Sequence, residues 1–131
     1  MYESKGILHL GRLDIARDWG WAPEYVEAMW LMLQQETPQD FVIATGTTMT
    51  LMDFVEAAFK QVNLDWRAYV VQDPAFMRPS YLLVSKASID KISQTLGWRP
   101  STIGTQVVKK MFEPIWVHII RSWWKIRKKL L

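Results

Sequence analysis

Between Pro23 and Pro38 the side chains Val26, Met29, Trp30 and Leu33 recur at helical spacing, and this stretch limits the possible folds more than any other. Pro23 suits a first helical turn, where its missing N–H has no partner to lose, and Pro38 lies beyond the end. Apolar side chains three and four positions apart share one helix face, and such a face usually meets the core. The spacing predicts a helix from Pro23 with Met29, Trp30 and Leu33 turned inward.

The rest of the chain alternates short apolar runs with further helical patterns. Ile7-Leu8-His9-Leu10 has the length of a short strand. Phe41-Val42-Ile43-Ala44-Thr45, closed by Gly46, reads as a buried strand feeding a turn. A second helix follows, with Leu51, Phe54, Val55, Ala58, Phe59 and Val62 on one face, a Thr50/Asp53 capping box and an exit at Asn63. Ala68-Tyr69-Val70-Val71 reads as another strand, broken by Asp73-Pro74. A third helix is expected from near Ser85 through Ile89, Ile92 and Leu96, with Gly97 as terminator and Pro100 after it. Val107, Val108, Met111 and Phe112 form the face of a fourth, which Pro114 should interrupt or bend. About four helices with a few short strands make a mixed α/β or α+β class. At 131 residues the chain suits one domain, expected over residues 1–113, with 114–131 as a separate tail.

The formal charge of +3 is unevenly placed. Arg121, Lys125, Arg127, Lys128 and Lys129 lie in the last eleven residues without one acid, and removing those five leaves −2. A basic tail on an acidic body does not make a nucleic-acid surface, so no nucleic-acid partner is expected. Trp116, Ile119, Ile120, Trp123 and Leu130 fall near one side of the same tail. Tryptophans beside cations are suited to a membrane interface, which makes a membrane surface an alternative partner. No segment approaches the roughly 18 apolar residues that a membrane span needs. The absence of cysteine rules out thiolate chemistry, and the opening Met1-Tyr2-Glu3-Ser4-Lys5-Gly6 lacks the shape of a secretory signal. A cytoplasmic location is the expectation.

Several site types lack their residues. A dinucleotide fold needs closely spaced glycines between a strand and a helix, because backbone must approach the pyrophosphate there. The six glycines here are scattered. A tyrosine acidified by a lysine four positions on is also missing, since Tyr2, Tyr25, Tyr69 and Tyr81 are followed at that spacing by Gly6, Met29, Asp73 and Ser85. His9 and His118 are not paired as metal ligands, and no metal site is expected. Trp19 and Trp21, flanking Gly20, read as packing groups. Two arginines also stand out, Arg17, just before the first helix, and Arg78, stiffened by Pro79; taken alone, such a pair reads most simply as solvated or ion-paired surface charge. Two planar, permanently charged side chains from different loops are the donors that a diphosphate needs.

The words around those arginines carry a resemblance. Leu10-Gly11-Arg12-Leu13-Asp14, Arg17-Asp18-Trp19-Gly20 and the run from Glu24 to Gln35 are similar to the GDP-mannose 4,6-dehydratases of the extended short-chain dehydrogenase/reductase superfamily. The series continues through Asp40 to Gly46, Phe54-Val55-Glu56, Asp73-Pro74, Arg78-Pro79, Ser85-Lys86-Ala87 and Leu96-Gly97-Trp98-Arg99-Pro100. It covers roughly residues 7–112 and resembles the family's C-terminal, substrate-binding portion, with no complete Rossmann domain.

The resemblance implies a small domain that holds GDP-mannose, joined in the family to a dinucleotide-binding domain that holds NADP. The family reaction converts GDP-mannose to GDP-4-keto-6-deoxymannose and water, through oxidation at C4, elimination across C5 and C6, and hydride return at C6. Its threonine, glutamate, tyrosine and lysine belong to the half not represented here. The expectations are therefore no catalytic residue and no cofactor in this chain alone, a nucleotide-sugar ligand, and a separate N-terminal dinucleotide-binding half as partner. By resemblance Arg17 and Arg78 match the family's diphosphate-binding arginines. One departure is local: where the family reads Arg-Pro-Thr-Glu-Val-Asp, this chain has Arg78-Pro79-Ser80-Tyr81-Leu82-Leu83-Val84 and runs directly into Ser85. The acid that would accept ribose hydroxyls is gone.

Overall fold

A computed structural model describes residues 6–115. The elements are β1 (Leu8–Leu10), β2 (Ala16–Arg17), α1 (Ala22–Leu33), β3 (Met49–Thr50), α2 (Leu51–Lys60), β4 (Val70–Gln72) and α3 (Asp90–Leu96). Residues 105–115 form a further helix, α4. Four helices and a few short strands among the described residues are the mixed class that the sequence implies. The strands make two small sheets. In one, β1 pairs parallel with β4 in the register Leu8↔Val70 to Leu10↔Gln72; in the other, β2 pairs antiparallel with β3.

The core gathers around Ala28 of α1, Ile92 of α3 and Trp98, with Tyr25, Leu31, Phe41, Ile43, Ile89 and Leu96 packed against it. Tyr25 meets the Trp98 ring edge-on, centroids 6.2 Å apart. This corrects one expectation. Helix α1 forms where its spacing predicts, but Val26, Met29, Trp30 and Leu33 are 63%, 51%, 59% and 81% exposed. The helix has a second apolar side made of Tyr25, Ala28 and Leu31. Alanine at 28 lets the backbone come close to Ile92 and Trp98, so the smaller face meets this chain's core.

Other differences have local causes. Residues 41–45 are not a strand, because among the described residues no neighbouring strand pairs with them. The 68–71 strand starts later, at Val70, since Trp66–Ala68 takes a single 3-10 turn capped by Asp65. The third helix begins at Asp90, not near Ser85: residues 83–85 bond to β2 through Ala16 N–H to Leu83 O and Ser85 N–H to Ala16 O. Residues 105–115, Pro114 included, are helical as far as the structure is described, with Val107 and Val108 buried and Met111 exposed.

The capping expectations hold. Thr50 Oγ1 accepts the Asp53 N–H at 3.0 Å while the Asp53 carboxylate accepts the Thr50 N–H at 3.3 Å, closing the capping box. Asn63 (φ 56°) and Gly97 (φ 68°) take the left-handed conformation at the helix exits. The tail positions from Trp116 to Leu131, with the apolar side and five cations expected there, lie outside the described residues, as does His118. No described helix is long and apolar enough to cross a membrane.

Candidate functional site

The segment carrying Arg17 is held from two sides. Strand β2 pairs with Met49–Thr50, and Ala16 also bridges in parallel to Val84. Val84 ends the loop that starts at Arg78, so the strand bearing one arginine anchors the returning arm of the loop bearing the other. Arg17 is half-buried and its Nη1 donates to the Ala16 carbonyl at 2.8 Å. Arg78 is exposed. What joins the two arginines is backbone, the bridge from Ala16 to Val84.

The loop itself is closed by a residue that sequence reasoning passed over. Tyr81 Oη donates to the Phe76 carbonyl at 3.1 Å and accepts the Arg78 backbone N–H at 3.0 Å. The loop sits directly on the turn after β1. A Cβ at Gly11 would lie 2.7 Å from the Phe76 carbonyl oxygen and 3.0 Å from Tyr81 Oη, so only glycine allows this approach. Next to it Arg12 forms an ion pair with Asp14 and lies 5.6 Å from the Tyr81 ring centroid. The bond to Asp14 raises the Arg12 pKa, and the same bond lowers that of Asp14. Arg12 and Tyr81 were legible only as the charge in Gly11-Arg12-Leu13-Asp14 and as a phenol in a proline-led loop.

His9, in the middle of β1, meets Asp73, just after β4, with Nδ1 2.9 Å from the carboxylate. The Ala75 N–H is the main cause of the lowered Asp73 pKa, and His9 adds to it against the effect of burial. Trp19 packs on Phe54 at 4.6 Å and its Nε1 donates to the Met49 carbonyl, while Lys110 lies over the Trp21 ring, so both tryptophans are packing groups as their placement implied. Clefts of about 480, 370 and 390 Å³ lie along α2 and the Trp66–Ala68 turn, lined among others by Glu56, Lys60, Trp66 and Arg67. Their linings include neither Arg17 nor Arg78. No described group of three His, Cys, Asp or Glu side chains fits a metal. Among the described residues none of the four helices opens on a close pair of glycines, and α2 opens on the Thr50/Asp53 box.

Residues 2–111 match the family model described as GDP-mannose 4,6 dehydratase. The chain belongs to that family. Among curated relatives it is 42% identical over 106 residues to GDP-mannose 4,6 dehydratase 1 of Arabidopsis thaliana, covering 81% of this chain and 29% of that protein. The Dictyostelium discoideum enzyme is 40% identical, with 80% and 34% covered, and the Homo sapiens enzyme 36%, with 78% and 32%. This dehydratase-family chain thus spans about a third of the length of the relatives it matches. In fold it is similar to dTDP-glucose 4,6-dehydratase from Bacillus anthracis, solved with NAD, at a TM-score of 0.73 and 16% identity over 92% of this chain and 37% of that one. It is also similar to RMD from Pseudomonas aeruginosa, solved with NADPH, at 0.69 and 18% over 81% and 34%.

Proposed function

We propose that this chain is the nucleotide-sugar-holding part of a GDP-mannose 4,6-dehydratase, which binds GDP-mannose through Arg17 and Arg78 and does not turn it over alone. NADP and the groups that move the hydride and protons come, in this reading, from a unit outside these 131 residues. The observation that carries it is the Ala16↔Val84 bridge, which fixes the Arg78 loop against the strand of Arg17. Two guanidinium groups offered from adjoining backbone suit a diphosphate, whose charge Arg neutralises with paired N–H donors. The Arg12–Asp14 pair and the Tyr81 clamp support the loop from behind. Family membership favours GDP-mannose over other nucleotide sugars.

Calorimetric titration of the chain with GDP-mannose tests this. Charge-assisted hydrogen bonds contribute about 1.5–3 kcal/mol, so Arg17→Ala and Arg78→Ala should each weaken binding on the order of 10- to 100-fold. Arg67→Ala, an exposed arginine paired with Asp65, should leave it unchanged. Absence of binding by the folded chain, or equal loss in all three variants, overturns the assignment. A second reading, contact of the tail with a membrane, rests on Trp116, Ile119, Ile120, Trp123 and Leu130 near one side of the sequence after Ile115, with five cations toward its end; liposome sedimentation with and without residues 115–131 decides it.

A further inference from the structure

The outer side of α1 joins two properties that are seldom found together. Val26, Met29 and Trp30 are each more than half exposed, with Leu33 beyond them at the rim. The same stretch is acidic: from Ala22 to Asp40 it carries Glu24, Glu27, Glu36 and Asp40 and not one lysine or arginine. The last turn of α1 has no basic residue of its own, although the carboxyl end of a helix attracts cations. One segment of the chain has the complementary pair of properties. Trp116, Ile119, Ile120 and Trp123 stand at the same spacing as Val26, Met29, Trp30 and Leu33, and Arg121, Lys125, Arg127, Lys128 and Lys129 accompany them without an acid. Two stripes of helical spacing can interdigitate along their length. The family match ends at residue 111, so this segment is a feature of the present chain.

We infer that the chain's own C-terminal segment, residues 116–131, folds back along the outer side of α1, with Trp116, Ile119, Ile120 and Trp123 on Val26, Met29 and Trp30 and the cations beyond them at Glu36 and Asp40. The tether is in place. Lys110 of α4 lies 5.6 Å from the centroid of the Trp21 ring and 3.9 Å from the Glu24 carboxylate, which itself holds Ser101 and Thr102, so α4 stands beside the first turn of α1. The segment leaves from Ile115, at the end of that helix. Its sixteen residues span about 24 Å as a helix, against about 18 Å for the twelve of α1. Starting at the amino end of α1, it brings its cations to the carboxyl end. Other occupants fit less well. A second copy of α1 would set acid against acid, and an anionic bilayer would repel the same carboxylates. Covered in this way, the apolar face no longer drives self-association. Nothing in this contact involves GDP-mannose, so it is independent of the proposed function.

The chain has no cysteine, so Ser122→Cys gives the full-length protein a single thiol for a spin label, beside the apolar stripe of the tail. Backbone amide and indole signals are compared by NMR with the label oxidised and reduced. The inference expects Met29, Trp30 and the Trp30 indole to broaden beyond detection, while Asn63 and Leu64, past the end of α2, keep their intensity. Trp30→Gln changes a side chain already 59% exposed, so the fold stays native. In that variant the Met29 signal should recover with the label still oxidised. Two results overturn the inference. One is broadening at Met29 when a spin-labelled chain is mixed with an isotope-enriched chain that carries no label, which makes a second copy the occupant. The other is undiminished Met29 and Trp30 signals in the labelled chain; sedimentation of that chain with phosphatidylserine vesicles would then assign the tail to a membrane.

Discussion

The Asp18 carboxylate accepts the Gly46 backbone N–H at 2.9 Å through one oxygen and, through the other, the Thr45 N–H at 2.8 Å. A side chain placed one residue after β2 thus fixes the turn that leads from the 41–45 segment toward β3. Tyr25 Oη adds a long contact of 3.5 Å to the same oxygen. Burial first, and then the nearby Asp18 charge, push the Tyr25 pKa up to about 12, so the phenol stays a neutral donor.

Replacing Asp18 by Asn keeps the shape but turns one acceptor into an N–H group facing another N–H. Losing a charge-assisted bond and leaving a part-buried donor unmatched costs about 1–3 kcal/mol. Asp18→Asn should lower the melting temperature by roughly 3–10 °C, and amide exchange at Gly46 should quicken. A variant melting within a degree of the native chain would show that the turn is held by something else.

Glu24, in the first turn of α1, is tied to the chain 77 residues away. Its carboxylate accepts the Ser101 N–H (3.1 Å), the Ser101 hydroxyl (2.7 Å), the Thr102 N–H (3.2 Å) and the Thr102 hydroxyl. Burial acts to raise its pKa, but the bonds from Ser101 and Thr102 outweigh this and bring it to about 2. A carboxylate whose folded pKa lies below its unfolded value contributes stability above about pH 4.5 that is lost as the pH falls toward 2. Unfolding followed by urea from pH 6 to pH 2.5 should therefore lose on the order of 1–3 kcal/mol more in the native chain than in Glu24→Gln. Parallel pH profiles for the two would remove Glu24 from this role.

The loop bearing Arg78 depends on Gly11 and Tyr81. Gly11→Ala brings a methyl group against the backbone of Phe76, which cannot move without the loop. Tyr81→Phe deletes two hydrogen bonds and leaves the ring. Each bond is worth about 0.5–1.5 kcal/mol, so GDP-mannose affinity should fall roughly 3- to 10-fold in Tyr81→Phe and further in Gly11→Ala. Circular dichroism should stay native in Tyr81→Phe. Sugar binding unchanged in both variants would mean that the loop's position does not matter to the ligand.

Much of this was legible in the sequence because it is local. The Thr50/Asp53 box, the exits at Asn63 and Gly97, and the placing of Pro23 in the first turn of α1 follow from side chain and backbone within a few residues. What failed depends on partners far along the chain. Phe41–Thr45 has the composition of a buried strand, yet a strand exists only with a neighbour. Ser85–Ile89 has a helical pattern, but the backbone of 83–85 is taken by Ala16. At the candidate site Arg17 and Arg78 could be named from motifs, whereas Tyr81 acts through Phe76 and Gly11 acts through space, and neither leaves a trace in spacing.

The largest error, the inward side of α1, leads to the last prediction. Periodicity finds the stripe with the bulkiest side chains, Val26, Met29, Trp30 and Leu33, but the surface that meets Ile92 and Trp98 is the one carrying Ala28, which is fully buried. Enlarging Ala28 to Leu forces three added carbons into a close-packed contact and should cost about 1–3 kcal/mol. Leu33→Gln changes a side chain already 81% exposed and should move stability by less than about 0.5 kcal/mol. Pattern-based reading of the same helix expects the reverse order, because a core leucine would lose its burial and Ala28 would have room to grow. Urea denaturation of the two variants, measured on the isolated chain, therefore decides which side of α1 holds this domain together.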